Sequence, residues 1–355
     1  MKTGIVGLAQ AGKTTIFQVL TRASHELIAE RSRRAQPNVG IVKVPDERVD
    51  FLASVFIPRK TTYAAIEFVD VGSLVQGQGR DLALDAVRDV DAMVHVVRAF
   101  DSGIPHARGS VDPDRDIRDF DTELILSDLQ SVEKRLERIG KDLGRMKDAE
   151  LERERGLLVG IREWLESERA LRVMNLSPEE SKRARGFAFL SQKPMIYAIN
   201  VGEDRIDMLR SSAEEESALP PNTARVLISG KLEAEMAELA DEDLAAFLKD
   251  YGLEESGMVR LIRSAYRLLG LISFLTAGEE EVRAWTIRKG TTAQRAAGAI
   301  HSDLEKHFIR AEVSAFGAFR EHGSFAALRE RGLLRLEGKD YIVQDGDILT
   351  VRHSG

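Results

Sequence analysis

A lysine and a threonine at the end of a glycine-bounded loop are the residue types that hold a phosphate chain. Gly7-Leu8-Ala9-Gln10-Ala11-Gly12-Lys13-Thr14 fits G-x-x-x-x-G-K-[ST] directly after the apolar run Gly4-Ile5-Val6. Glycines at both ends let the backbone wrap closely round an anion. Successive N–H groups from Ala9 to Thr15 and the N-terminus of the next helix would then point at it. Lys13 would set its charge against the β and γ phosphates, and the Thr14 hydroxyl would serve a Mg²⁺ ion that keeps most of its waters. The competing reading is an ordinary glycine-rich turn, which the strand before and the Ile16-Phe17-Val19-Leu20 helix pattern after disfavour.

Three later positions carry compatible chemistry. Asp70 closes the apolar run Ile66-Glu67-Phe68-Val69 and is placed to hold Mg²⁺ through water, with a turn cap as its alternative role. Asn200-Val201-Gly202-Glu203 follows another such run and reads as a base-recognition element, Asn200 tying loops together and Glu203 facing the base edge. Ser229 and Gly230 end the last run and complete the candidate nucleotide contacts.

Holding these residues together requires a sheet whose strand ends converge. Val39–Val42, Ile66–Asp70, Met93–Val97, Met195–Asn200 and Val226–Ser229 are β-branched runs separated by helical patterns, as in a mostly parallel α/β sheet covered by helices. Ligands of such sheets sit at the carboxyl ends of the strands, where Gly7, Asp70, Asn200 and Ser229 all fall.

Composition agrees. The chain has 355 residues, 43% of them apolar, more than one core usually serves. It has no cysteine, so neither disulfides nor a thiolate zinc site can form, and its seven histidines are scattered. No apolar run approaches a membrane span, and the first strand begins at the N-terminus in place of a leader, so a cytoplasmic protein without membrane contact is expected. A net charge of −7 restricts any nucleic-acid contact to a local patch, and none with DNA is expected.

With these motifs in view, the chain resembles the YchF subfamily of Obg-related translation-factor GTPases. The resemblance rests on the phosphate loop, Pro37-Asn38-Val39-Gly40, Glu67–Asp70, His95-Val96-Val97-Arg98, Asn200-Val201-x-Glu203 and Glu233-Ala234-Glu235. It continues through Phe274-x-Thr276-Ala277-Gly278, Glu281–Thr286, Phe308–Val313 and Leu336–Asp347, nearly the whole chain. It implies a nucleotide-hydrolysing domain, a helical insert, a C-terminal TGS domain, ribosome association and a preference for ATP over GTP. Glu203 gives that preference a physical reading. Guanine needs a carboxylate opposite its N1–H and N2–H₂ donors, whereas adenine shows an acceptor at N1 and a donor at N6, and a glutamate reaches one methylene past the usual aspartate.

The chain also departs from the family. Where a threonine would sense Mg²⁺ and the γ-phosphate, it reads Arg31-Ser32-Arg33-Arg34-Ala35-Gln36. After Asp70 comes Val71-Gly72-Ser73-Leu74, with the glycine displaced by one, and the second switch, Val75 to about Asp85, is several residues short. Leu74 is apolar where many GTPases of the superfamily carry a catalytic glutamine, and Arg34 or its neighbours could act as an arginine finger in cis. Lys13, Leu74 and Arg34 are thus the candidate catalytic residues, and Thr14 and Asp70 the metal ligands.

Beyond the nucleotide region, Ile125, Leu129, Val132, Leu136, Ile139, Leu143 and Met146 alternate four and three apart, the seam of a coiled coil beginning near Asp121. Leu151, Leu158, Ile161 and Leu165 supply a partner helix, with the turn near Lys147–Glu150. Gly140 and Gly144 would weaken this helix unless they admit a close neighbour. The acidic stretch from Arg205 to Ser256, including Glu233, reads as solvated helix. From Ser273 the pattern becomes a small mixed sheet with one helix, Thr292–Ile300, and a hairpin turn at Asp345-Gly346 between Tyr341–Val343 and Ile348–Val351. Arg288, Lys306, His307 and Arg310, with Phe308, are the candidate RNA-facing residues.

The expected domains are therefore 1–120 with 191–272 for the nucleotide, 121–190 for the helical insert and 273–355 for the TGS-like β-grasp. The expected activity is ATP (or GTP) binding and hydrolysis with Mg²⁺, in company with the ribosome or ribosomal RNA. Two other readings stand beside it: a non-hydrolysing nucleotide-gated binding module, and a metabolic kinase that would leave the arm and tail without a role.

Overall fold

Strands covered by helices on both faces need unbroken apolar runs, and two segments of the chain meet that demand completely. In the computed structural model, which describes residues 1–22, 38–71, 86–145, 147–211 and 219–354, seven of eight residues of one strand and all seven of the other are buried. In chain order the elements are β1 (Lys2–Val6), α1 (Lys13–Thr21), β2 (Asn38–Lys43), α2 (Glu47–Phe56), β3 (Lys60–Thr62) and β4 (Ala65–Asp70). The two buried strands follow as β5 (Ala92–Ala99) and, after the long helices α3 (Pro113–Leu143) and α4 (Ala149–Glu166), β6 (Met195–Val201). β7 (Thr223–Ile228), α5 (Gly230–Glu238) and α6 (Gly257–Leu268) follow, with further helices at Pro178–Ala184, Ile206–Ser211 and Asp241–Tyr251.

The first sheet runs β2-β4-β1-β5-β6-β7. β1 pairs in parallel with β4 and β5, β5 with β6, and β6 with β7. Register sets Ile5 beside Asp70, Arg98 beside Asn200, and Asn200 beside Ile228. The carboxyl ends of these strands are therefore level, which is the condition for a shared site. One face buries Met93, Val97, Phe120, Leu124, Met195 and Leu232 together, and α6 packs on β6 and β7.

The helical insert differs from its expected start. α3 begins at Pro113, capped by the Asp112 carboxylate accepting from Arg115 N–H at 3.1 Å. Its first turns belong to the sheet, since Phe120 and Leu124 sit in the sheet core and the seam proper starts at Ile125. From there Val132 and Ile139 bury against Leu158, Ile161 and Leu165 of α4, with Arg135 clamped by Glu154 at 2.6 and 2.9 Å. Asp148 caps α4. At the root, buried Asp128 accepts from Leu190 N–H, Ser191 N–H and Ser191 Oγ–H at 2.7–2.8 Å. Met146, expected to end the seam, lies outside the described residues.

By internal packing the chain forms two units, Met1–Gly40 with Glu67–Leu268, and Ile41–Ile66 with Leu269–Gly355. The second contains β8 (Leu271–Ala277), β9 (Glu281–Arg288), α7 (Ala293–Ile300), β10 (Phe308–Ala315), β11 (Arg335–Glu337) and β12 (Asp347–His353). Its sheet runs β11-β10-β12-β8-β9-β3, with α7 laid on it through Ala293 and Ala296. Residues 41–66 thus depart from the expected division. β3 pairs in parallel with β9, Phe51 meets Phe316 edge-on at 5.6 Å, and Phe56 stacks on Phe319 at 5.6 Å.

Two further expectations are corrected here. Asp345-Gly346 makes a turn, with Gly346 at φ +83°, but no hairpin, because the preceding segment contributes only an isolated bridge from Ile342 to Thr292. The Asp345 carboxylate instead accepts from Ser273 N–H at 2.9 Å and pairs with Arg48 at 2.8 Å. Gly140 and Gly144 admit no close helix. A Cβ at Gly140 would meet nothing within 4 Å, and Gly144 is the C-cap residue. Among the described residues no helix is long and apolar enough to cross a membrane.

Because Gly140 occupies open space inside a helix, Gly140→Ala should stabilise the arm by about 0.5–1 kcal/mol through helix propensity alone. Slower amide hydrogen exchange along α3 is the expected readout, and faster exchange there would mean that the glycine serves a neighbour.

Candidate functional site

The phosphate loop is built from two glycines that no other residue can replace. Gly7 and Gly12 have φ of +143° and +94°. A Cβ at Gly7 would fall on the Val96 carbonyl oxygen, and one at Gly12 on the Asn200 amide nitrogen. Between them Gln10 takes a left-handed conformation at φ +63°, a tight path that closes the loop over the ends of β1 and β5. A cradle that excludes side chains at both ends is what close approach of a phosphate chain requires, so the residues present fit the nucleotide implied by the motif.

Lys13 is the first residue of α1 and only 7% exposed. Its Nζ donates to the Leu8 carbonyl at 2.6 Å. Burial lowers the ammonium to about 8, and the Asp70 carboxylate opposes that fall. Beneath the loop, His95 is 1% exposed and stacked on Phe120 at 4.1 Å. Burial pushes its imidazole down to about 3, with Lys13 and Arg172 adding to the effect, so it is a neutral packing group. Thr14 is exposed and Asp70 half-buried at the end of β4. Among the described residues no cluster of three or more His, Asp or Glu side chains could chelate a metal alone. A magnesium ion here would depend on Thr14, Asp70, water and the phosphates themselves.

Asn200 joins the loop to the opposite wall. At 4% exposure, its Nδ2 donates to the Ala11 carbonyl at 3.0 Å and its Oδ1 accepts from Gly230 N–H at 2.9 Å. A cleft of about 930 Å³ opens beside this bridge, lined by Gly12, Thr15, Asn200, Val201, Glu203, Gly230 and, from elements the sequence did not single out, Phe100, Ser102 and Lys231. Ser229 is buried and absent from this lining; its carbonyl accepts from Glu233 N–H at 2.9 Å. Glu203 stands at the cleft, where its carboxylate is taken by Lys231.

The loop that supplies Phe100 is shaped by buried Arg98. Its guanidinium donates to the Phe100 carbonyl at 3.1 Å, Ser102 Oγ at 2.8 Å and the Ile104 carbonyl at 2.9 Å. His95-Val96-Val97-Arg98 carries the family pattern, but β5 is buried on both faces, so no alternation marks Arg98 as an inward residue. Glu233 corrects the expectation of a solvated acidic face. It is 5% exposed and accepts from Gly257 N–H at 2.6 Å, capping α6. Burial raises it to about 7. The candidate residues Arg34 and Leu74, and Arg31, Arg33 and Gly72 with them, lie outside the described residues.

Comparison with known proteins agrees with this geometry. Residues 2–137 match a family model described as a 50S ribosome-binding GTPase, and residues 271–354 match the C-terminal YchF-GTPase model, described as a protein of unknown function. The chain is 41% identical to the ribosome-binding ATPase YchF of Bacillus subtilis over 99% of both chains, and 41% identical to that of Escherichia coli O157:H7 over 98% of both. Among solved structures it resembles the YchF GTPase of Schizosaccharomyces pombe, with a TM-score of 0.86 at 31% identity, covering 99% of this chain and 97% of that one.

Lys13→Ala should weaken triphosphate binding ~10- to 100-fold, as for loss of a charge-assisted contact, while leaving the melting temperature unchanged or higher, because a desolvated charge is removed. Isothermal calorimetry and thermal melts check both halves. Glu233 predicts a pH effect on stability. A carboxyl raised from 4.5 to about 7 in the fold stabilises fully below its unfolded value, and that contribution is lost as pH rises through 7, with an upper limit of about 3 kcal/mol. Glu233→Gln should flatten this slope between pH 5 and 8 in denaturant titrations. An unaltered slope would show that another group causes it.

Proposed function

The chain belongs to the YchF family, and on that premise we propose that it binds ATP with Mg²⁺, hydrolyses it slowly on its own and associates with the ribosome. The relatives from Bacillus subtilis and Escherichia coli are named ribosome-binding ATPases, and this chain carries the loop, lysine and cleft that nucleotide binding needs. The observation that carries the reading is the Asn200 bridge, which makes the phosphate loop and the wall of the cleft one frame. A triphosphate lies along the N–H groups of Ala9 to Thr15, Lys13 gives up the Leu8 carbonyl for the phosphates, and the base enters the cleft beside Phe100. When bound, Mg²⁺ neutralises phosphate charge, and Thr14 and Asp70 are the residues that would hold it. Glu203, whose Oε1 accepts from Lys231, meets guanine's two donors with its charge already paired, which favours ATP over GTP.

Slow turnover follows from what the sequence lacks. Phosphoryl transfer needs a positioned water and stabilised charge on the γ-oxygens. Leu74 cannot orient water, and no threonine stands between Arg22 and Asn38 to close over the metal; an arginine finger in cis from Arg31, Arg33 or Arg34 is the alternative that would speed transfer. The helical arm of α3 and α4 and the TGS-like C-terminal unit, with Arg288, Lys306 and Arg310 exposed, are the parts assigned to ribosomal RNA, in a cytoplasmic protein. The second reading, a nucleotide-gated binder without hydrolysis, is favoured by the same lost threonine.

Phosphate release from ATP and from GTP, with and without ribosomes, tests the proposal. Faster release from ATP than from GTP, rising when ribosomes are added, is expected. Binding without any release under all four conditions would select the non-hydrolysing reading. Cutting the arm at its tip near Lys147 should weaken co-sedimentation with ribosomes while leaving ATP affinity within about twofold, because the seam is separate from the cleft.

A further inference from the structure

We propose that Lys231 is a specificity-determining residue that disfavours guanine by pairing the charge of the Glu203 carboxylate; the inference rests on reading the cleft as an ATP site. Two elements bring the pair together. Glu203 opens a short 3-10 turn, Glu203–Arg205, just past β6, and Lys231 is the second residue of α5. Both positions are fixed from behind. Asn200, three residues before Glu203, holds Gly230 N–H, and Glu233, two residues after Lys231, holds Gly257 N–H. The Lys231 ammonium donates to Glu203 Oε1, and both residues line the cleft with Phe100. The contact with Glu203 raises Lys231 above the ordinary lysine value, so the partner is an ammonium throughout the physiological range.

The chemistry discriminates between purines. Guanine offers N1–H and N2–H₂, two donors that need a carboxylate with free lone pairs. Here Oε1 of the carboxylate already accepts from an ammonium, itself only a donor, on the same wall of the cleft, so the charge that guanine's two donors would use is paired. Adenine offers an acceptor at N1 and a donor at N6, so the same ammonium is compatible with its edge. The other carboxylates at the cleft are turned to different partners: Asp101 accepts from Gly103 N–H at 2.9 Å and Asp204 lies 3.7 Å from Arg205 Nε. With side chains 65% and 44% exposed, Lys231 and Glu203 contribute little to folding. Their consequence falls on recognition, because a base entering the cleft removes the water that screens them.

Competition binding with a fluorescent ATP analogue displaced by ATP or GTP tests this on Lys231→Met, Lys231→Arg, Glu203→Gln and the Lys231→Met/Glu203→Gln double variant, each first checked by thermal melting. Wild type and Lys231→Arg should prefer ATP equally. Lys231→Met should move the GTP-to-ATP affinity ratio toward GTP by ~10-fold, as expected for a freed charge-assisted pair. In the Glu203→Gln background Lys231→Met should move it no further. A wild type that prefers ATP with an unchanged ratio in Lys231→Met overturns the role of Lys231 alone. So does an equal shift in the Glu203→Gln background, since Lys231 would then act without Glu203. A wild type that prefers GTP overturns the ATP reading itself.

Discussion

The Asn200 carboxamide donates to the Ala11 carbonyl and accepts from Gly230 N–H, and at 4% exposure it does so without competition from water. One side chain thereby fixes the distance between the phosphate loop and the helix that walls the cleft. Removing it would leave two buried backbone groups unsatisfied, a larger penalty than the net gain of the two bonds. The geometry tolerates no bulk on either side. Gly12 lacks the Cβ that would strike the amide nitrogen, and at Gly230 a Cβ would sit 3.4 Å from the amide. An aspartate here would place an acceptor against the Ala11 carbonyl, so the amide is required by hydrogen-bond polarity as well as by size.

Around that bridge, burial and exposure give charged groups opposite tasks. Inside, desolvation dominates: it depresses Lys13 and His95 and raises Glu233, so the imidazole packs as a neutral ring and the glutamate's bonds to the helix end only partly offset the cost of burying its charge. Lys13 is the group for which this matters to function, since a desolvated ammonium gains most from an arriving polyphosphate. At the rim of the cleft water screens each charge, and Glu203 and Lys231 act there through which donors and acceptors they leave free.

The path of the backbone adds a constraint of its own. The chain leaves the nucleotide sheet at β2 and returns at β4, and between them residues 41–66 take their fold from a different core, through Phe51, Phe56 and the pairing of β3 with β9. Asp70 therefore ends a strand whose first residues belong to the second unit. Neither unit is a continuous stretch of sequence, and each is closed by segments distant along the chain.

The sequence by itself determined the phosphate loop, the parallel strands and the coiled-coil seam, because each is local. Glycine spacing imposes the positive φ values at Gly7 and Gly12, continuous apolar runs demand burial on both faces, and the four-and-three spacing from Ile125 to Leu143 leaves α3 one apolar stripe to cover. What only the tertiary structure decided are the pairings that cross long intervals. Glu233 reads as one more acid in an acidic stretch until α6 puts Gly257 N–H against it. Lys231 is an unremarked surface lysine until β6 delivers Glu203, and α2 carries no local sign of the unit to which it belongs. Tyr341–Val343 has the alternation of a strand, yet β12 is already flanked by β10 and β8, so the apparent hairpin has no edge on which to form. Periodicity and spacing encode what a segment does with its own neighbours in sequence; which distant partner satisfies a buried carboxylate or a sheet edge is settled by the packing of the whole chain.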